Sequence, residues 1–441
     1  MHFKSSVSTA QVFAIAGPAM LANLTTPLIG IVSTTAIGRL GDAALLGGVA
    51  MASVIFDCMF WLFGFLRMST LAFTAQSLGA GEMGELRSLL ARGLVVAAAF
   101  GAGLILLQLP LASVVLEAMG GSTRVTEAAR TYFVIRIWSA PLVLANYVVL
   151  GWLIGLARAV LALALQVVVN LVNMALTLVL VLGLDAGIAG AAIAAVVAEA
   201  TGLLLGILVA RHLLRRRLAV PRALLFDRAR LMRMFSVNRD IMIRTAALIT
   251  AFLFFTAQGA RSGDVTLASN SVLNNFLLIS AFFLDGLANA AQQLCGQAFG
   301  ARDRHAFSAA ARLVVAWGFA FAIAVAAAFA AFGAHFIDIM TAAEEVRRMA
   351  REYLIFVIVS PLLAVFAFAF DGIYIGATWA RDMRNLMLLS LLIFLTAWLV
   401  LRSFGNAGLW GALLAHYAAR GGLEAARYPS LLKQTFANEL N

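Results

Sequence analysis

The sequence predicts an all-α polytopic membrane protein: twelve transmembrane helices in two parallel six-helix repeats, an N-lobe and a C-lobe, around a central cavity. Three observations predict it. Of 441 residues, 63% are hydrophobic and only 12% charged, about half the charged share of a soluble domain. Apolar blocks recur along the whole length, each near the roughly 20 residues that cross a bilayer, which excludes a lone signal peptide. The second half of the chain also repeats the first.

The apolar segments of the first set fall at roughly 13–36, 45–75, 89–117, 132–155, 160–183 and 187–210. Those of the second set fall at roughly 241–260, 266–294, 308–337, 353–376, 386–403 and 407–420. Between them, residues 211–239 hold nine arginines against the single acid Asp227. The expected organisation is therefore an N-lobe over 1–210, a basic linker over 211–239 and a C-lobe over 240–441.

The repeat has an offset of 221 residues. It carries Tyr132 onto Tyr353, Gly151 and Gly155 onto Gly372 and Gly376, and Gln76 and Gly79 onto Gln297 and Gly300. Ala-Gly-Ile-Ala-Gly-Ala (186–191) falls on Ala-Gly-Leu-Trp-Gly-Ala (407–412), while Pro141 and Pro361 differ by 220. An even number of helices per half makes the repeats parallel, with the substrate path expected between them.

Net charge is +11, from 32 Lys+Arg against 21 Asp+Glu. In a membrane protein such an excess marks cytoplasmic loops. With both termini inside, about 21 basic residues fall on the cytoplasmic side and about 8 outside, with Arg67, Arg136 and Arg244 at membrane depth. Cys58 and Cys295, each in an apolar stretch, read as packing residues. The five histidines are scattered, and no HExxH, GxSxG or Walker A pattern occurs. An enzyme is not the expectation, and neither a cofactor nor a metal is called for.

Polar residues recur at helical spacing inside the apolar segments, where a lipid-facing helix has no use for them. The first helix carries Asn23, Thr26, Gly30 and Ser33, with Pro18 and Pro27 inviting a bend. The second carries Ser53, Asp57, Gly64 and Arg67; the fifth, Gln166, Asn170, Asn173 and Thr177; the eighth, Asn270, Asn274, Asp285, Asn289 and Gln292. Interhelical hydrogen bonding accounts for any one of these; the four stripes together point to a polar central cavity. The costlier ionisable groups are Asp57, Arg67, Glu199, Asp285 and Asp371. Asp57 and Arg67 lie about 15 Å apart along their helix, too far to pair. Arg67 could meet Asp285 across the pseudo-twofold, or each could be structural. Glu199 reads as a hydrogen-bonding acid. Asp57, flanked in sequence by Phe56, Phe60 and Trp61, reads as a cation site in an aromatic wall, or as a hydrogen-bond acceptor for a neighbouring helix.

The chain resembles the MATE (multidrug and toxic compound extrusion) transporters, in particular their DinF-like branch. The resemblance rests on Trp-Leu-Phe-Gly-Phe-Leu-Arg-Met (61–68), Thr-Ala-Gln-Ser-Leu-Gly (74–79) and Asn-Arg-Asp-Ile-Met-Ile-Arg (238–244). It continues through Phe-Leu-Asp-Gly (283–286), Gly-Gln-Ala-Phe-Gly-Ala-Arg-Asp (296–303) and Asp-Gly-Ile-Tyr-Ile-Gly-Ala-Thr (371–378). It implies a monomeric bacterial inner-membrane exporter with both termini cytoplasmic. Small amphipathic or cationic molecules would leave in exchange for H⁺ or Na⁺, by alternating access. A lipid or lipid-linked precursor flippase of a related superfamily is the alternative. The family's usual first-helix carboxylate is Ser33 here, Thr177 stands where its fifth helix often has an acid, and Gln292 replaces a common Glu. These departures direct the expectation for ion or proton coupling to Asp285 and Asp371. The substrate cavity is expected to involve Asn23, Ser33, Asp57, Arg67, Asn170, Asn173, Thr177, Asn274, Asn289 and Gln292.

Overall fold

The computed structural model describes residues 7–215 and 220–437. Arg216, Arg217 and position 218 of the linker lie outside the described residues. Among the described residues the secondary structure is helical throughout. Eleven stretches are long and apolar enough to cross a membrane, and the last, Ala380–Thr435, contains two helices separated by a 3₁₀ turn at Arg402–Phe404. The chain is a multi-pass membrane protein with a twelve-helix arrangement. Its helices are α1 (Thr9–Gly38), α2 (Ala43–Gly79), α3 (Met83–Leu106), α4 (Thr123–Gly155), α5 (Ala159–Gly183) and α6 (Gly187–Leu213). After them come α7 (Arg228–Arg261), α8 (Asp264–Gly300), α9 (Arg304–Met340), α10 (Leu354–Gly376), α11 (Ala380–Leu401) and α12 (Gly405–Thr435).

Local chemistry sets the ends and breaks. The Asp42 carboxylate accepts from Ala44 N at 2.8 Å to start α2, and Asp303 accepts from Ala306 N at 2.8 Å to start α9. α2 breaks at Phe63–Gly64, and α4 tightens to 3₁₀ at Ile137–Ser139, just before Pro141, which lacks an N–H. α1 stays helical through Pro18 and Pro27.

The chain packs as two compact units. One, the N-lobe below, spans Leu21–Met234; the other, the C-lobe, joins the chain up to Met20 to everything from Phe235 onward. Both divisions fall inside helices, α1 and α7. The start of α7 is tied into the N-lobe: Arg230 pairs with Glu85, which also holds the buried Arg92. Arg233 donates to Gln76 Oε1 at 3.2 Å and stacks over Phe73. In the C-lobe, Phe13 of α1 packs edge-on against Trp317.

Each lobe encloses its own core. The N-lobe core gathers Phe56, Phe60, Phe133, Ile137 and Ala192; the C-lobe core gathers Phe255, Phe276, Phe329, Phe394 and Trp410. The duplication is visible as a repeated helix contact. A Cβ added at Gly151 would lie 2.3 Å from the Arg67 carbonyl oxygen, and one at Gly155 2.7 Å from that of Leu71. In the C-lobe, one at Gly372 would lie 2.5 Å from the Ala288 oxygen, and one at Gly376 2.7 Å from that of Gln292. All four residues of one contact map onto the other at offset 221. In both lobes the second and fourth helices approach closely enough that only glycine fits, which is how helices associate where lipid supplies no hydrophobic drive.

Candidate functional sites in the two lobes

The C-lobe buries a charged cluster built from four helices. Asp371 follows Phe370 on α10 and precedes Gly372, whose contact with Ala288 fixes its depth. One oxygen of Asp371, Oδ2, receives both the Arg244 guanidinium of α7 and the Arg420 guanidinium of α12. Arg420 also stacks over Phe368, 5.6 Å from the ring centroid. One turn beyond Arg420, Glu424 is 0% exposed, and neither of its carboxylate oxygens has a hydrogen-bond partner among the described residues. Its backbone carbonyl accepts from the Tyr374 hydroxyl at 2.8 Å. Glu424 lies within electrostatic reach of both arginines, and so does Asp285 on α8. One turn before Arg420, His416 Nδ1 sits 3.1 Å from the Ser390 carbonyl and so carries the ring proton, leaving Nε2 without a partner among the described residues. Asp371 Oδ1, Arg244 Nε and Arg420 Nε are likewise unpartnered among the described residues.

Arg420 and Glu424 were not legible as site residues, because the last apolar segment reads as ending at residue 420. The structure carries α12 on to Thr435. The spacing His416, Arg420, Glu424, four residues each time, is the signal that marks one face of a helix.

The N-lobe residues form two groups. The fifth-helix stripe is satisfied internally: Asn170, 1% exposed, donates to Thr25 Oγ1 at 2.7 Å and accepts from Gln166 at 3.0 Å, while Thr177 donates to Asn173 at 3.5 Å. The second group is charged. Glu199 on α6 takes a 2.7 Å hydrogen bond from Asn146 Nδ2, which also reaches the Glu199 backbone carbonyl at 2.9 Å. Arg136, at the 3₁₀ break of α4, stands over the Phe56 ring, 5.9 Å from its centroid. Tyr147 lies within electrostatic reach of Arg67, Glu199, Asp57 and Arg136.

The expected aromatic wall around Asp57 needs correction. Phe56 and Phe60 are buried in the N-lobe core, where Phe56 stacks on Phe133, whereas Asp57 is exposed. Core packing draws both rings inward, Phe60 against Phe56 and Phe56 against Phe133, and Asp57 is not part of it. Of the three aromatics, only Trp61, one turn on, shares Asp57's side.

Of the other positions, Asn23, Ser33, Arg67, Asn274 and Asp285 are half-buried, and Asn289 and Gln292 are buried. Among the described residues, Gln292 Oε1 has no hydrogen-bond partner. Asn270 is fully engaged, exchanging hydrogen bonds with Asn406 at 2.9 and 3.0 Å and accepting from Trp410 Nε1 at 2.9 Å.

Comparison with known proteins gives these lobes a family. The MatE family matches residues 18–179 and 241–398, one stretch in each half. The chain belongs to the MatE family. It is 38% identical over 409 residues to DNA damage-inducible protein F of Escherichia coli, covering 92% of this chain and 89% of that protein. It is 27% identical over 460 residues to a probable multidrug resistance protein NorM of Rhizobium meliloti, covering 99% and 95%. Among solved structures, a MATE protein in a bent conformation superposes with a TM-score of 0.87 over 97% of this chain and 96% of that one, at 18% identity. At that identity the likeness concerns the fold. The NorM relative carries the name of a multidrug resistance protein, which implies small molecules as its substrates.

Proposed function

We propose that this protein is a secondary active exporter that drives small amphipathic or cationic molecules outward against entry of H⁺ or Na⁺, with its coupling seat in the C-lobe cluster. The observation that carries the reading is the charge count around Asp371. Two guanidiniums, which stay charged in proteins, face three acids: Asp285, Asp371 and Glu424. Glu424 is the acid whose two carboxylate oxygens both lack a hydrogen-bond partner among the described residues, and one proton or one monovalent cation balances it. An ionised carboxylate with no partner does not survive at 0% exposure, so Glu424 is the group that takes that charge.

Partner exchange would make the balance mechanical. With Glu424 neutral, Arg420 is committed to Asp371 and links α12 to α10. With Glu424 ionised, Arg420 has a competing carboxylate one turn away on its own helix, and the α10–α12 link weakens. Asp285 adjusts the same balance from α8. Such a two-state element is what an ion gradient needs in order to bias alternating access. Substrate would be held by the polar positions named above, Asn23, Ser33, Asp57 and Arg67 in the N-lobe and Asn274, Asn289 and Gln292 in the C-lobe. A monomer in the bacterial inner membrane, with both termini and the Arg211–Arg239 linker cytoplasmic, completes the reading; the coupling ion is its sole cofactor.

The test is transport of an amphipathic rhodamine dye in proteoliposomes, with a pH gradient and a Na⁺ gradient imposed one at a time. One of the two should drive dye accumulation in wild type, survive Ser33→Ala with little loss, and fail to drive Asp371→Asn present in the same amount. Dye movement indifferent to both gradients, or equal and severe losses from the two substitutions, contradicts the proposal.

A further inference from the structure

We infer that the start of α7 and the turn before it form a docking surface for an anionic phospholipid, with Arg222 and Arg228 on its phosphate and Leu224, Phe226 and Met232 on its apolar part. The surface stands apart from the exporter reading, which it uses only to name the leaflet, the cytoplasmic one.

The surface has a held base within the N-lobe. The turn Arg222–Leu225, closed by hydrogen bonds from Leu224 N and Leu225 N to the Pro221 carbonyl, packs against α3. Asp227 then starts α7, its carboxylate accepting from Arg230 N at 3.1 Å. In the first turns of α7, Arg230 is paired with Glu85, Arg233 donates to Gln76, and Met234 is buried. Arg228 and Met232, four residues apart, stand on the other side of the helix and are exposed.

The same contacts set the depth. Glu85 lies four residues before the apolar run of α3, which begins near 89, and Gln76 lies just past that of α2, which ends near 75. Four residues of helix rise about 6 Å. Arg230, opposite Glu85, therefore lies in the polar zone that widens a bilayer from a core of roughly 30 Å to about 40–45 Å. Arg228 and Met232 flank that level, half a turn to either side.

The acids at this end of the N-lobe are committed elsewhere. Glu85 holds Arg92 as well as Arg230, Asp227 is on Arg230, and the charge of Glu82 bears on Arg233. Among the described residues, Arg222 and Arg228 have no ion pair and no side-chain hydrogen bond, and neither do Arg211 and Arg215 at the end of α6. Between and beside the two arginines of the surface, Leu224 is 40%, Phe226 60% and Met232 62% exposed. Unpaired guanidiniums interleaved with large apolar side chains suit neither water nor the bilayer core, and at headgroup depth they form an interfacial lipid site. A guanidinium donates charge-assisted hydrogen bonds to two phosphate oxygens at once. A zwitterionic phospholipid offers the same phosphate, but its own ammonium offsets the attraction. An anionic headgroup such as phosphatidylglycerol keeps all of it.

The experiment is native mass spectrometry of the purified full-length protein, titrated in detergent with dioleoyl-phosphatidylglycerol or dioleoyl-phosphatidylcholine. Wild type should bind phosphatidylglycerol roughly 25-fold more tightly than phosphatidylcholine, about fivefold for each of the two arginines. Arg222→Gln with Arg228→Gln should remove most of that preference at an unchanged melting temperature, and Arg222→Lys with Arg228→Lys should keep most of it. Phe226→Ser should weaken both lipids alike. Arg402→Gln, at an exposed arginine in the turn before α12, should change neither. Equal binding of the two lipids by wild type, or a preference that survives the loss of both arginines, overturns the inference. So does displacement of phosphatidylglycerol by an equal concentration of glycerol 3-phosphate, which would make this a free-phosphate site, or tighter binding of a short DNA duplex than of the lipid. A lipid preference in protein that moves no dye would count against the exporter reading alone. Gradient-driven dye transport by protein that binds both lipids alike would count against this surface alone.

Discussion

Substituting Gly372 with alanine tests the link between helix packing and the charged cluster. Ordinary van der Waals contact begins near 3.4 Å, while the added methyl carbon would sit 2.5 Å from the Ala288 carbonyl oxygen and 2.8 Å from the Ala291 Cβ. The neighbour on one side is backbone, so no rotamer change relieves it, and α8 and α10 must part by roughly 0.9 Å, the difference 3.4 − 2.5. Overpacking of this kind costs about 1–3 kcal/mol. In detergent, Gly372→Ala should melt a few degrees below wild type, and so should Gly151→Ala, whose methyl would lie 2.3 Å from the Arg67 oxygen. Their effects should add in the double variant, because the two contacts share no residue. Gly103→Ala is the control: nothing lies within 4 Å of its added Cβ, and no loss is expected. Because Gly372 adjoins Asp371, its substitution should also impair gradient-driven transport. Unchanged melting of both variants would mean that these helices are not held at the described separation, and the placement of Asp371 would fall with it.

The linker should resist impermeant thiol reagents applied to intact cells when Leu225→Cys is introduced in a background lacking Cys58 and Cys295, since nine arginines in one short segment oppose translocation; labelling from outside would invert the topology. Glu85→Gln should release the start of α7, because Arg92 and Arg230 both depend on that carboxylate, and leaving the buried Arg92 without its partner should cost about 3–5 kcal/mol, read as a lowered melting temperature. Restoration of the wild-type melting temperature by Glu85→Asp would tie the effect to charge rather than to volume.

Much of the fold was legible because the bilayer imposes its own arithmetic. The length of each apolar run set the spans, and the offset of 221 carries the Gly151–Arg67 contact onto the Gly372–Ala288 contact residue for residue. Less of the site was legible. Asp371 stands out in sequence as an acid in an apolar helix, but its two arginines come from α7 and α12, far apart in the chain, and periodicity within one helix says nothing about pairs between helices. Glu424 was hidden by charge itself. Arg420, Glu424 and Arg427 make the end of α12 read as a polar tail, when two of them are buried. The stripe of Gln166, Asn170, Asn173 and Thr177 shows the opposite failure: correct spacing, but bonds closed among themselves and with Thr25. Around Asp57 proximity in sequence misled, since Phe56 and Phe60 turn into the core while Asp57 does not.

The most direct test of the coupling seat is the number of protons moved per dye molecule in proteoliposomes reconstituted with wild type and with Glu424→Gln, run in parallel with the Na⁺ gradient. Glutamine keeps the size and burial of the side chain but cannot gain or lose a proton or attract a cation by charge. If Glu424 takes the balancing charge beside Arg420 and Asp371, the variant should remain folded and bind dye, yet accumulate none against either gradient, and the wild-type ion flux linked to dye should vanish. Dye accumulation by Glu424→Gln with the wild-type ion-to-dye ratio would contradict the account.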